Sequence, residues 1–106
     1  MEFYHFTEFA WPHLPPDNEF TSMRLNLPSS VYDPKKGADL YNMCLDQYLL
    51  ADELGLNCMV NEHHQTATCL NSSAVVPLSI LARQTKKARL LILGNPAANL
   101  LSLIHI

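Results

Sequence analysis

The apolar residues of this chain change period along its length, and the changes predict strand, helix, strand, helix, strand. Phe3, Tyr4 and Phe6 form a short aromatic run that suits a first strand over residues 2–6. From Asp39 the period lengthens. Leu40, Tyr41, Cys44, Leu45, Tyr48 and Leu49 recur at the spacing of one helix face, predicting an amphipathic helix over 38–54. Asp39 can accept from its first-turn amides, and Gly55 can take the left-handed position beyond its end. Asn57–Asn61 is short and apolar, as a strand buried on both faces would be. A second helix is expected over 74–87, with Pro77 in its first turn and Lys86 and Lys87 at the negative end of its dipole. The run Leu90-Leu91-Ile92-Leu93 predicts a third strand over 89–93, ended by Gly94-Asn95-Pro96.

Strands separated by helices pair in parallel through crossovers, so the expected fold class is α/β, with the three strands adjacent in sequence order. The connection over 7–36 fits neither period and carries Pro12, Pro15, Pro16, Pro28 and Pro34. Asp33-Pro34-Lys35-Lys36-Gly37 reads as the turn that closes it.

Composition narrows the function classes. At 106 residues, 48% hydrophobic and 16% charged, the chain has the make-up of one globular domain rather than a disordered segment. Seven Lys and Arg against ten Asp and Glu give a net charge of −3, which offers no footprint for nucleic acid or an anionic membrane. No apolar run approaches the ~20 residues of a membrane span. The opening Met1-Glu2-Phe3-Tyr4-His5 has neither the basic nor the apolar region of a secretory leader, so a cytoplasmic location is expected. Cys44, Cys58 and Cys69 are odd in number and lack C-x-x-C spacing, which suits small buried hydrophobes in a reducing compartment.

The segment with chemical capacity is Asn61-Glu62-His63-His64-Gln65, directly after the second strand. Ligands of parallel α/β folds bind at the carboxyl ends of strands, where these residues stand. An imidazole titrates near neutrality and a neighbouring carboxylate can orient it, so His63 with Glu62 offers general acid–base chemistry. Consecutive residues of an extended chain point to opposite faces, so His63 and His64 should not share one cavity. Read from position alone, the pair serves equally well as a polar cap on the sheet. A metal site is disfavoured by the absence of H-x-x-x-H spacing and of a second carboxylate at ligand spacing. His5 and His13 read as structural or solvated. No G-x-G-x-x-G, Walker A or G-x-S-x-G motif is present.

Val60-Asn61-Glu62-His63-His64-Gln65-Thr66, preceded by Ala51-Asp52-Glu53-Leu54-Gly55, resembles the luciferase-like flavin-dependent monooxygenases. So do the opening Met1-Glu2-Phe3-Tyr4-His5-Phe6, the turn Tyr32-Asp33-Pro34, Ala82-Arg83-Gln84-Thr85-Lys86 and Leu93-Gly94-Asn95-Pro96. The resemblance runs in unbroken order over about residues 1–99. It implies a (β/α)8 TIM barrel that uses reduced FMN, or in some relatives a deazaflavin, with dioxygen to oxidise a small organic substrate. It further implies a flavin reductase as supplier of the reduced cofactor, and it leaves room for a homo-oligomer. By the same resemblance His63 handles protons beside the flavin, Gly94 and Asn95 pass close to its ring, Phe6 floors the pocket and His64 contacts substrate. The family's phosphate-binding residues belong to later strands.

A barrel of this kind needs roughly 250 residues. Residues 1–100 are therefore expected to be the N-terminal three strands and two helices of a truncated barrel. Residues 101–106 read Leu-Ser-Leu-Ile-His-Ile, the peptide produced when the transposon mosaic end used in sequencing libraries is translated in frame. They are expected to be a non-native tail from adapter readthrough. Such a fragment should expose one sheet edge and leave Phe3, Met59 and Ile92, or their register neighbours, uncovered, and it should bind flavin poorly and catalyse nothing alone. Two other readings stand beside this one: a metal-assisted hydrolase on a similar barrel with Glu62, His63 or His64 as ligands, and a chain with no independent function.

Overall fold

The computed structural model describes residues 1–16, 20–64 and 66–94. Gln65, Asn95 and the 101–106 segment, all of which carry expectations from the sequence, lie outside the described residues. Strands β1 (Tyr4–Phe6), β2 (Asn57–Asn61) and β3 (Leu90–Leu93) form one sheet in the order β1-β2-β3, parallel throughout. Helices α1 (Met23–Asn26) and α2 (Pro34–Glu53) lie between β1 and β2, and α3 (Val75–Gln84) lies between β2 and β3. The fold is α/β with an open sheet. Among the described residues no helix is long and apolar enough to cross a membrane.

α2 begins about one turn before the predicted start. Asp33 is its N-cap: the carboxylate accepts from the amides of Lys35 at 2.9 Å and Lys36 at 3.1 Å, and Pro34 occupies the first turn, where its missing N–H costs nothing. The Asp-Pro-Lys-Lys-Gly segment is therefore a helix start rather than a closing turn, and Asp39 lies inside the helix. Gly37 survives within it for a packing reason, because a Cβ there would overlap the Tyr32 ring. At the other end Gly55 has φ +78°, and its N–H donates to the Asp52 carbonyl while Leu56 N–H donates to that of Ala51. This is the left-handed stop predicted for that position.

α2 and α3 pack on the same face of the sheet. Cys44, Leu45 and Tyr48 of α2, Leu81 of α3, and Cys58 and Val60 of β2 form the buried core with Phe9 and Ala74. Strand alternation sends Leu90 and Ile92 to that face, in register with Cys58 and Val60. Among the described residues neither α2 nor α3 covers the opposite face. There Phe6, Met59 and Leu91 stand in register, followed by Leu93, and the side chains of Phe6, Leu91 and Leu93 are 36%, 42% and 49% exposed. Ile92, expected on the uncovered face, is on the helix face, because the register pairs it with Val60.

Two polar groups of α2 tie the layers together. The Tyr48 hydroxyl donates to the Met59 carbonyl at 2.7 Å and accepts from the Thr7 amide at 3.1 Å, so one buried phenol holds β2 and the exit of β1. Burial pushes this phenol up to about 12. Asp52 accepts from the amides of Lys86 at 2.8 Å, Lys87 at 2.9 Å and Ala88 at 2.6 Å. Those bonds explain why α3 stops at Gln84 instead of running to 87: the amides that would continue it are committed to the carboxylate.

Two tests follow from these ties. Tyr48→Phe keeps the ring but strands the Thr7 amide and Met59 carbonyl, and should cost about 1–3 kcal/mol in urea unfolding. The Asp52 carboxyl is held below its ordinary 3.8 by the Lys86 amide first, against an opposing burial effect, with the Lys87 and Ala88 amides and the Lys87 charge adding to it. Its contribution to stability is thus full above that ordinary value and is lost as pH falls through the lowered one. Asp52→Asn should flatten the acid limb of the stability–pH curve; an acid limb identical to that of the unmodified chain would refute the assignment.

Candidate functional site at the exits of β1 and β2

The chain leaves β1 through Thr7, Glu8 and Phe9. Thr7 is fastened by the Tyr48 hydroxyl, and Phe9 has φ 53°, a left-handed conformation rare for a bulky residue. That conformation costs roughly 1–2 kcal/mol, whereas full burial of a Phe side chain stabilises by about 1.5–3 kcal/mol, so burial wins. The Phe9 ring is fully buried, 4.9 Å from the Tyr41 ring and 6.0 Å from that of Tyr48. Beyond it the chain runs antiparallel to residues 68–70: Leu70 N–H donates to the Phe9 carbonyl at 2.9 Å and Trp11 N–H to that of Thr68 at 3.0 Å. Glu8 thus projects from a backbone held on both sides.

The exit of β2 is held by Asn71. Its buried side-chain amide donates to the Asn61 carbonyl, and its own carbonyl accepts from the His63 N–H at 3.0 Å. With the backbone fixed at 61 and 63, His63 and His64 enter different cavities. His63 lines one of about 550 Å³ with Glu8, Leu14, Thr21, Arg24 and Thr68. His64 lines one of about 290 Å³ with Leu27, Tyr32, Thr66, Cys69 and Leu70. The two rings meet edge to face, with centroids 4.6 Å apart and planes at 82°.

Within the larger cavity, Glu8 Oε1 stands 3.8 Å from His63 Nε2, with the two side chains 54% and 20% exposed. That separation is an ion-pair distance for a protonated imidazole and too long for a hydrogen bond. Among the described residues His63 Nδ1 is buried without a hydrogen-bond partner. Sequence reasoning assigned the orienting carboxylate to Glu62, the preceding residue, which is half-buried. Glu8 was missed because nothing in a local pattern announces that the loop after β1 folds over the end of β2. Asn71 was missed for the same reason.

The remaining sequence-predicted residues are spread along the strand ends. Phe6 pairs with Met59, two residues short of the end of β2, whereas Leu93 pairs with Asn61. Gly94, with φ +71°, therefore follows β3 level with the exit that carries His63, and Phe6 sits lower on the sheet. His5 packs its ring on Tyr48 and His13 on Trp11. The three cysteines are free and buried, and burial pushes each thiol up. Among the described residues no group of three or more His, Cys, Asp and Glu side chains could hold a metal ion.

Comparison of the chain with protein-family models, with curated proteins and with solved structures finds no match. Asn71 supplies the direct test of how the site is held. Asn71→Ala should cost about 1–3 kcal/mol by stranding the Asn61 carbonyl. The His63 amide should then exchange with solvent faster than global unfolding alone explains; unchanged residual protection at His63 would show that Asn71 does not hold the exit.

Proposed function

We propose that this chain carries the first three strands of a barrel of the luciferase-like flavin monooxygenase type, with His63 as its proton-handling residue. The observation that supports the reading best is the position of His63. It follows the carboxyl end of the middle strand of a parallel sheet, and it lines a cavity that also holds a carboxylate. Carboxyl ends of parallel strands are where such folds bind ligands.

The residues present suit a flavin ring in two respects. The face of the sheet opposite the helices is apolar and uncovered at Phe6, Leu91 and Leu93, a surface on which a flat heteroaromatic ring can rest. At Gly94 a Cβ would meet nothing within 4 Å, so the backbone is open to close approach. Phe6 and Gly94 would border the ring, and Asn95 is assigned with them from the resemblance alone. Reduced FMN, or a deazaflavin, supplies the electrons with which dioxygen is activated toward a small organic substrate. The chain's own contributions are distinct from that chemistry. His63 holds or releases a proton at Nε2, in a cavity lined mostly by polar side chains. His64, bordering the second cavity, is assigned substrate contact on the resemblance alone.

The contacts named here are to the ring and not to a phosphate, so the expected affinity is weak, with a Kd of about 0.1–1 mM. Anaerobic titration of the isotopically labelled chain with reduced FMN, followed by amide shifts, tests the reading. Shifts should concentrate at Phe6, Met59, His63 and Gly94. No shift at ligand concentrations of several millimolar, or shifts confined to α2 and α3, would sink it.

A further inference from the structure

We infer that the cavity beside His63 takes a small zwitterion, an amino acid carrying one carboxylate and one ammonium group, with Arg24 as partner of the carboxylate and Glu8 as partner of the ammonium. This inference deepens the proposed function by naming the substrate class of the same site. It rests on that reading for the oxidation alone, and its geometry stands without a flavin.

Two opposite charges line one space without neutralising each other. Glu8, from the exit of β1, and Arg24, from α1, both border the cavity of about 550 Å³. Among the described residues the two do not pair, and Arg24 has no ion pair at all. Glu8 stands 3.8 Å from His63 Nε2, and among the described residues no group donates a hydrogen bond to its carboxylate. A guanidinium and a carboxylate that share a cavity without meeting leave their strongest interactions unmade. A ligand bearing both complementary charges makes both at once. An anion alone meets the charge of Glu8, and a cation alone meets that of Arg24.

Both charges are carried by segments tied to one stretch of chain, residues 66–70. The Thr66 hydroxyl donates to the Met23 carbonyl at 3.0 Å, which fastens α1 beside Arg24, and Thr66 Oγ1 lies 3.3 Å from Thr68 Oγ1. On the other side Trp11 N–H donates to the Thr68 carbonyl and Leu70 N–H to the Phe9 carbonyl, which fastens the loop that bears Glu8. The cavity falls within the roughly 300–1,000 Å³ of small-molecule sites. Leu14 and Met23 border it as apolar contacts for a carbon skeleton, and Thr21 and Thr68 add polar ones.

The test uses the full chain without flavin. Amide shifts of the isotopically labelled chain are followed during titration with 6-aminohexanoate and L-norleucine, which carry both charges at opposite ends or at one end of the same skeleton. Hexanoate and hexylamine, which lack the ammonium or the carboxylate, are titrated beside them. At least one zwitterion should shift Glu8, Arg24, His63 and Thr68 with a Kd of about 1–10 mM. Hexanoate and hexylamine should each bind about two- to fivefold more weakly, the scale of one exposed ion pair. In Glu8→Gln the zwitterion and hexanoate should bind equally, and in Arg24→Gln the zwitterion and hexylamine. Glu2→Gln, whose carboxylate pairs with Arg89 on the surface, should change nothing. No saturable shift with either zwitterion, a singly charged probe that binds as tightly, or a preference that persists in both cavity variants overturns the inference. No cofactor enters this titration, so its failure is distinguishable from failure of the flavin reading.

Discussion

Tyr48 carries a phenol from the middle of α2 through the core to the sheet, and its hydroxyl is shared between Met59 of β2 and Thr7 at the exit of β1. Much of the molecule is arranged around that oxygen. An aromatic side chain is long enough to cross the helix–sheet layer, and its polar end must find partners when the ring is fully buried. It finds them where the β1–β2 pairing gives out, at backbone groups the sheet no longer satisfies. The place at which the strands diverge is thereby fixed, and the loop carrying Glu8 starts from a defined point. His5 and Phe9 pack their rings against the same phenol, so the middle of β1 and the loop beyond its end are positioned by one side chain of α2.

From this tie the site is assembled by loops rather than by strands. The segment after β1 lies antiparallel to residues 68–70, and those residues lead to Asn71, which returns to clasp the end of β2. The result is a closed circuit of backbone contacts around the two histidines. Their divergence into separate cavities follows from simple geometry once Asn61 and His63 are both held, because consecutive side chains on a fixed extended backbone cannot turn the same way. One of the two imidazoles meets a carboxylate, and the other meets Tyr32, Cys69 and leucines. Their chemical capacities differ for that reason, although their sequence neighbourhoods are nearly identical.

The sheet has unequal faces. Both longer helices cover one, and Asp52 secures that arrangement by drawing three amides of the α3–β3 connection onto the end of α2. The other face keeps Phe6, Leu91 and Leu93 partly in solvent. A large side chain held in water forgoes about 1.5–3 kcal/mol of burial, so an apolar face of this kind is a surface with free energy still to gain from a cover.

The order of elements, the parallel pairing, the position of β2 and the glycine stop of α2 were all legible in the sequence. Each is governed by local forces: hydrophobic period, the steric freedom of Gly55, and the short apolar runs of central strands. The placement of His63 beyond a strand end was legible for the same reason. The start of α2 was misplaced because Asp33 and Pro34 suit a turn and a helix cap equally well, and only packing of Tyr32 against Gly37 shows which applies. α3 was overextended because the carboxylate that takes its last amides comes from another helix. Glu8 beside His63, and Asn71 beneath it, are contacts between segments far apart in the chain. No period or spacing encodes such contacts, and tertiary structure alone decided them, because they exist only once Tyr48 has fixed where β1 ends.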